Sequence, residues 1–153
     1  MLCAYLQCII SQKNQKVNPK IKKVKEKEKK EMEKFLKVTP EGVISEVEID
    51  EKQLLDGFYR EIDCRSIETV PTIFAKDVIV IIDEEGRLKE GKIINPFISA
   101  FCPACGYIVG TALISRIGSC NGEPDIVGLS EKDLTFLNGL YRYSFGELVN
   151  IQL

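Results

Sequence analysis

Histidine occurs nowhere in the 153 residues, and that absence narrows the available chemistry before any motif is considered. The commonest general base is missing, and a zinc site would have to be assembled without imidazole. No serine or cysteine sits in a recognised nucleophile motif. Gly106 and Gly110 frame a Gly-x-x-x-Gly stretch that lacks the Lys-Ser or Lys-Thr of a phosphate loop. No run of 18 apolar residues exists to cross a membrane. Residues 1–10 are apolar but have no basic region before them and no small-residue cleavage site after them, so a soluble, non-secreted, cytoplasmic protein is expected.

What is present divides by charge. Residues 1–37 carry 11 Lys against 4 Glu, whereas residues 38–153 carry 10 Lys and Arg against 19 Asp and Glu. The acidic body repels phosphate backbones, so a nucleic-acid role could rest only on the basic head. No aromatics interleave with the head's lysines, and a solvated charge run is the plainer reading. From residue 11 to 30 the chain is nearly all Lys, Glu, Gln and Asn, too polar to offset its ordering entropy by burial. Residues 1–31 therefore read as a disordered extension or an exposed charged helix. A third reading starts translation at Met32, since Lys27-Glu28 can be encoded AAGGAG, a ribosome-binding sequence. Residues 32–153 form one domain, and 44% hydrophobic residues suffice for a core.

That domain is organised around residues 78–82, five β-branched residues bounded by Asp77 and Asp83, which suit a strand buried on both faces. Before it, residues 35–38 and 43–49 alternate around Thr39-Pro40-Glu41-Gly42 as a hairpin. Asp50 and Gln53 open a short helix over residues 51–58, weakened at its end by Gly57. Residues 61–70 alternate again, with Ile62 and Cys64 inward. Gly86 closes a turn where a left-handed conformation is expected. Residues 87–106 read mostly as loop, residues 107–117 as a strand in which Gly110 permits a close approach, and residues 119–128 as a polar loop. Ser130 and Asp133 cap a final helix with a Leu134, Leu137, Leu140 and Tyr141 stripe. The order β-β-α-β-β-β-α predicts an α+β fold, a mostly antiparallel sheet with two helices packed on one face.

The hairpin into Val47-Glu48-Ile49-Asp50, Gly57-Phe58-Tyr59 before a strand, Val78 to Asp83 into Glu84-Glu85-Gly86-Arg87-Leu88, Asn95-Pro96, Gly110-Thr111 and Leu129 to Asp133 together resemble domain-of-unknown-function family 3846. The resemblance covers about residues 32–143. It implies a setting in Gram-positive bacteria, their phages and mobile elements, and it implies no reaction.

Three groups of residues are chemical candidates. Cys102-Pro-Ala-Cys105 has the spacing of a zinc knuckle, which Cys64 and Cys120 would have to complete. A redox pair and plain buried or loop thiols are the other readings. Asp83, Glu84, Glu85 and Glu90 form an acidic group that could hold a cation, although turns favour such residues anyway. The long segment after Gly86 carries Asn95, Phe97 and Phe101, which with Tyr107 or Tyr59 would contact a ligand if the loop is a binding loop; both Phe packing inward is the alternative. The expected function is a non-catalytic binding module of phage or mobile-element type, interfering with a host system through a host or element-encoded protein or a small ligand, with no membrane role. The alternative is a small metal-dependent enzyme or zinc-stabilised domain.

Overall fold

The computed structural model describes residues 31–149, with side chains as far as residue 145. The extension expected over residues 1–31 lies, apart from Glu31, outside the described residues. Strands β1 (Met32–Val38) and β2 (Ile44–Asp50) form the expected hairpin. Beyond it come α1 (Leu54–Ile62), β3 (Ile67–Pro71), β4 (Val78–Asp83), α2 (Pro96–Phe101), β5 (Ala112–Cys120), β6 (Glu123–Val127) and α3 (Glu131–Val149). One sheet results, in the order β2-β1-β5-β4-β3, with β6 paired to β5 and every pair antiparallel. On one edge of β5, β1 takes residues 112–114 and β6 takes residues 116–120. The Leu129 amide donates to the Lys34 carbonyl at 2.7 Å, which ties the end of β6 to β1.

The mostly antiparallel α+β architecture is as expected, but the helices do not share a face. Alternation along β4 sends Val78, Val80 and Ile82 towards α2 and α3, where they pack with Leu36, Ile114 and Leu137. Ile81 points the other way and packs with Phe35, Leu113, Phe58 and Ile62 under α1. The sheet is therefore covered on both sides, which is why all six residues of β4 are buried. Burying one such side chain is worth roughly 1.5–3 kcal/mol, so β4 contributes to two cores at once.

Other boundaries differ for physical reasons. Ile62 belongs to α1, since Leu54, Phe58 and Ile62 recur every four residues on the helix's buried side. Asp63, left-handed at φ 60°, ends the helix, and its amide donates to the Tyr59 carbonyl. Gly57 does not weaken this helix's end; it lets α1 approach the sheet, because a Cβ there would overlap Ile49. Residues 119–128 are a hairpin rather than a loop. Asn121 and Gly122, at φ 53° and 85°, supply the two positive values that a two-residue turn requires.

Candidate functional site

A cleft of about 200 Å³ opens where β4 ends, lined among others by Glu68, Asp83, Glu84, Arg87, Cys105 and Val109. Its shape follows from the turn after Asp83. The Asp83 carboxylate accepts the Glu85 amide at 3.1 Å and the Lys89 ammonium at 2.7 Å. Its side chain is only 4% exposed, so Lys89 supplies the charge that makes this burial tolerable. Gly86 starts a 3-10 turn with a negative φ, so the left-handed role expected for it is not used. Space is what it provides, since a Cβ would lie 3.3 Å from the Val109 carbonyl oxygen. Gly110 reverses the expectation in the other direction. Its φ of +82° is what favours glycine, and a Cβ would meet nothing nearer than Lys92 at 3.9 Å.

Arg87 forms the cleft's wall. Its Nε donates to the Tyr107 carbonyl at 3.0 Å, Nη2 donates to the Cys105 carbonyl, and the guanidinium lies 4.9 Å from the centre of the Tyr107 ring. One planar side chain thereby holds residues 105–107 to the end of β4. Four apolar side chains on the surrounding segments are exposed among charged ones: Leu88 is 84% exposed, Ile93 62%, Ile94 51% and Tyr107 53%. Ile94 is bridged to Val109, and the Gly110 amide donates to the Ile93 carbonyl, so these side chains ride on hydrogen-bonded backbone.

The residues proposed for a binding loop separate here. Asn95 is fully buried and acts as a three-way tie. Oδ1 accepts the Ile98 amide and caps α2, while Nδ2 donates to the Val38 and Gly110 carbonyls at 3.1 and 3.0 Å. Phe97 packs edge-on to Phe145 with centroids 4.9 Å apart, and Phe101 lies between Phe74 and Phe145 at 5.3 and 5.6 Å. Both Phe face the core under α3. Tyr59 sits on α1, across the sheet from these aromatics. Tyr107 alone is presented to solvent beside the cleft.

The thiols also part. Cys102 is buried in the core under α2 and α3, where burial and then the neighbouring Cys105 push its thiol up to about 12. Cys105 is half-buried and faces the cleft. Cys64 packs against the α1 core, and burial, then Asp83, raises its pKa. Cys120 is exposed at the far end of β5, eight residues or roughly 27 Å beyond Ala112. Among the described residues no three Cys, Asp or Glu side chains are grouped to hold a metal ion. In the acidic group, Asp83 is committed to Lys89, and Glu84 accepts from the Ser66 hydroxyl.

Sequence reasoning missed Arg87, Leu88 and Glu68. The signal that could have found them is the Glu84-Glu85-Gly86-Arg87 turn, which sends an arginine back across the strand's end. No helix among the described residues is long and apolar enough to cross a membrane. No curated protein and no solved structure matches the chain. Residues 32–142, spanning every strand among the described residues and most of α3, match the model of domain of unknown function DUF3846, and the chain belongs to that family.

Proposed function

We propose that this protein is a non-catalytic binding module of phage or mobile-element type, which interferes with a host system by docking a protein or small ligand at the β4 end of the sheet. The observation that carries this reading is the division of labour around the cleft. Three of its polar groups are engaged within the chain, Asp83 by Lys89, Glu84 by Ser66 and Arg87 by two carbonyls, while the Glu68 carboxylate and the Cys105 thiol that also line it stand in no recognised catalytic arrangement. The segments that flank it instead expose Leu88, Ile93, Ile94 and Tyr107, with Ile94 bridged to the cleft residue Val109 and Tyr107 under the guanidinium of Arg87. Exposed apolar side chains on hydrogen-bonded segments beside a cleft suit recognition.

Affinity capture from Gram-positive host lysate, with mass spectrometry of ligands released on denaturation, tests it against a Leu88→Ser/Tyr107→Ala variant. Wild type should retain a species that the variant loses at an unchanged melting temperature. Identical retention by both proteins, or reproducible turnover of a substrate by the pure protein, would overturn the reading.

A further inference from the structure

β2 is the outermost strand of the sheet, and among the described residues no strand pairs with its outer edge over Ile44 to Ile49. Main-chain donors and acceptors on such an edge form a template for another extended chain. Beside it runs α3. Between strand and helix lies an open groove of about 570 Å³, lined by Ile44, Ser45 and Glu46 on one side and Thr135, Asn138 and Arg142 on the other. Gly139 also lines the groove, and a Cβ there would meet nothing within 4 Å, so packing within the chain gives no reason for a glycine. A strand edge with no strand paired to it, facing a helix across a groove, is the geometry in which peptides bind by strand addition.

The charges select the occupant. Ile44 packs into the core under α3, so alternation puts Glu46 and Glu48 on the groove side of β2, both exposed. Lys34, opposite Glu48 on β1, pairs with Glu131 at 2.5 Å and also feels Glu46 and Glu48, and Arg142 is the cation on the helix wall, so the three carboxylates of Glu46, Glu48 and Glu131 exceed the two cations by one and the groove is acidic on its strand side. Two copies pairing through β2 would set these carboxylates against each other, which is unfavourable. A strand with Lys or Arg at alternate positions would meet Glu46 and Glu48, and its intervening β-branched side chains would extend the half-buried surface at Val47 on the α1 side.

We propose that the β2–α3 groove binds an extended, lysine- or arginine-bearing peptide segment of another protein by strand addition to β2. This site is separate from the β4 cleft.

Fluorescence anisotropy of a labelled Lys-Val-Lys-Val-Lys-Val-Lys peptide with the full chain tests it. Binding should weaken at least roughly tenfold in a Glu46→Lys/Glu48→Lys variant of unchanged melting temperature. It should weaken about as much when alternate peptide nitrogens are methylated, because strand addition needs those donors and charge attraction does not. The Leu88→Ser/Tyr107→Ala variant should bind the peptide as wild type does. Equal binding of the methylated peptide would reduce the effect to charge attraction and overturn the proposal. So would an affinity in the charge-reversed variant within about twofold of wild type, or a concentration-dependent dimer whose formation excludes the peptide. A gain in affinity on replacing Lys20, Lys22, Lys23 and Lys25 by Gln would assign the groove to the chain's own lysines, and would equally overturn it.

Discussion

Replacing Asn95 by Ala separates a ligand-binding residue from a structural one. The substitution removes the cap on α2, worth about 1 kcal/mol. It also leaves the carbonyls of Val38 and Gly110 without the Asn95 donor in a fully buried place, at about 1 kcal/mol or more each. The sum is about 3 kcal/mol, or a fall in melting temperature on the order of 10–15 °C for a domain of this size. Urea denaturation followed by circular dichroism measures it. Asn95→Asp sharpens the test, since it keeps the cap acceptor but turns an oxygen towards both carbonyls. Facing two oxygens in a buried site, that carboxyl has a folded pKa above its unfolded value. The stability it lends is then present in acid and lost as pH rises through the folded pKa, so at neutral pH the Asp variant should be no better than Ala, and in acid it should recover. A loss below about 1 kcal/mol for Asn95→Ala would refute the three-way tie and return Asn95 to the list of binding residues.

Lys89→Ala should lower the melting temperature, because it leaves the Asp83 carboxylate buried without its cation. The hydrogen bond to Asp83 raises the Lys89 pKa, so its contribution persists below the ordinary lysine value and the deficit should fade as pH climbs through the raised one, as read by melting temperature against pH. Gly139→Ala should stabilise by up to about 1 kcal/mol, since the position is helical and a methyl meets nothing; a loss in denaturant midpoint would contradict the open wall. Iodoacetamide at mildly alkaline pH should label Cys105 well before Cys102, whose thiol is buried and pushed up to about 12; peptide mapping that found Cys102 labelled first would show the segment to be open. Asp133 is held below the usual carboxyl range by its hydrogen bond from the Ser130 hydroxyl, with Arg116 assisting. The stability this gives is present above the ordinary aspartate pKa and lost as pH falls through the lowered value, so a Ser130→Ala deficit in melting temperature should shrink in acid.

The parts of the fold legible in the sequence are those in which one physical signal acts alone. Val78 to Ile82 could be placed because five β-branched residues suit little but a buried strand, and Ser130 with Asp133 because a hydroxyl and a carboxylate three residues apart satisfy each other's backbone amides. Which face α1 covers was not legible, since Val47 and Ile49 alternate identically whether a helix or water lies across from Glu46 and Glu48. Asn121-Gly122 carried a readable turn signal that the polar residues around it obscured. Asn95 is the instructive case. An asparagine before a proline in an irregular stretch has the composition of a binding loop and also of a helix start, with Asn as cap and Pro at the first position. Sequence reading could have found the cap by weighing the residues that follow, Phe97, Ile98 and Phe101, as one turn of apolar spacing. It could not have found the carbonyls of Val38 and Gly110, which lie 57 and 15 residues away and reach Asn95 only once β1 and β5 are paired. The same limit hid the cleft, because Arg87 is an unremarkable turn residue until the carbonyls of Cys105 and Tyr107 come within reach of its guanidinium. A binding surface of this kind is assembled from backbone groups as much as from side chains, and only the side chains are spelled out along the chain.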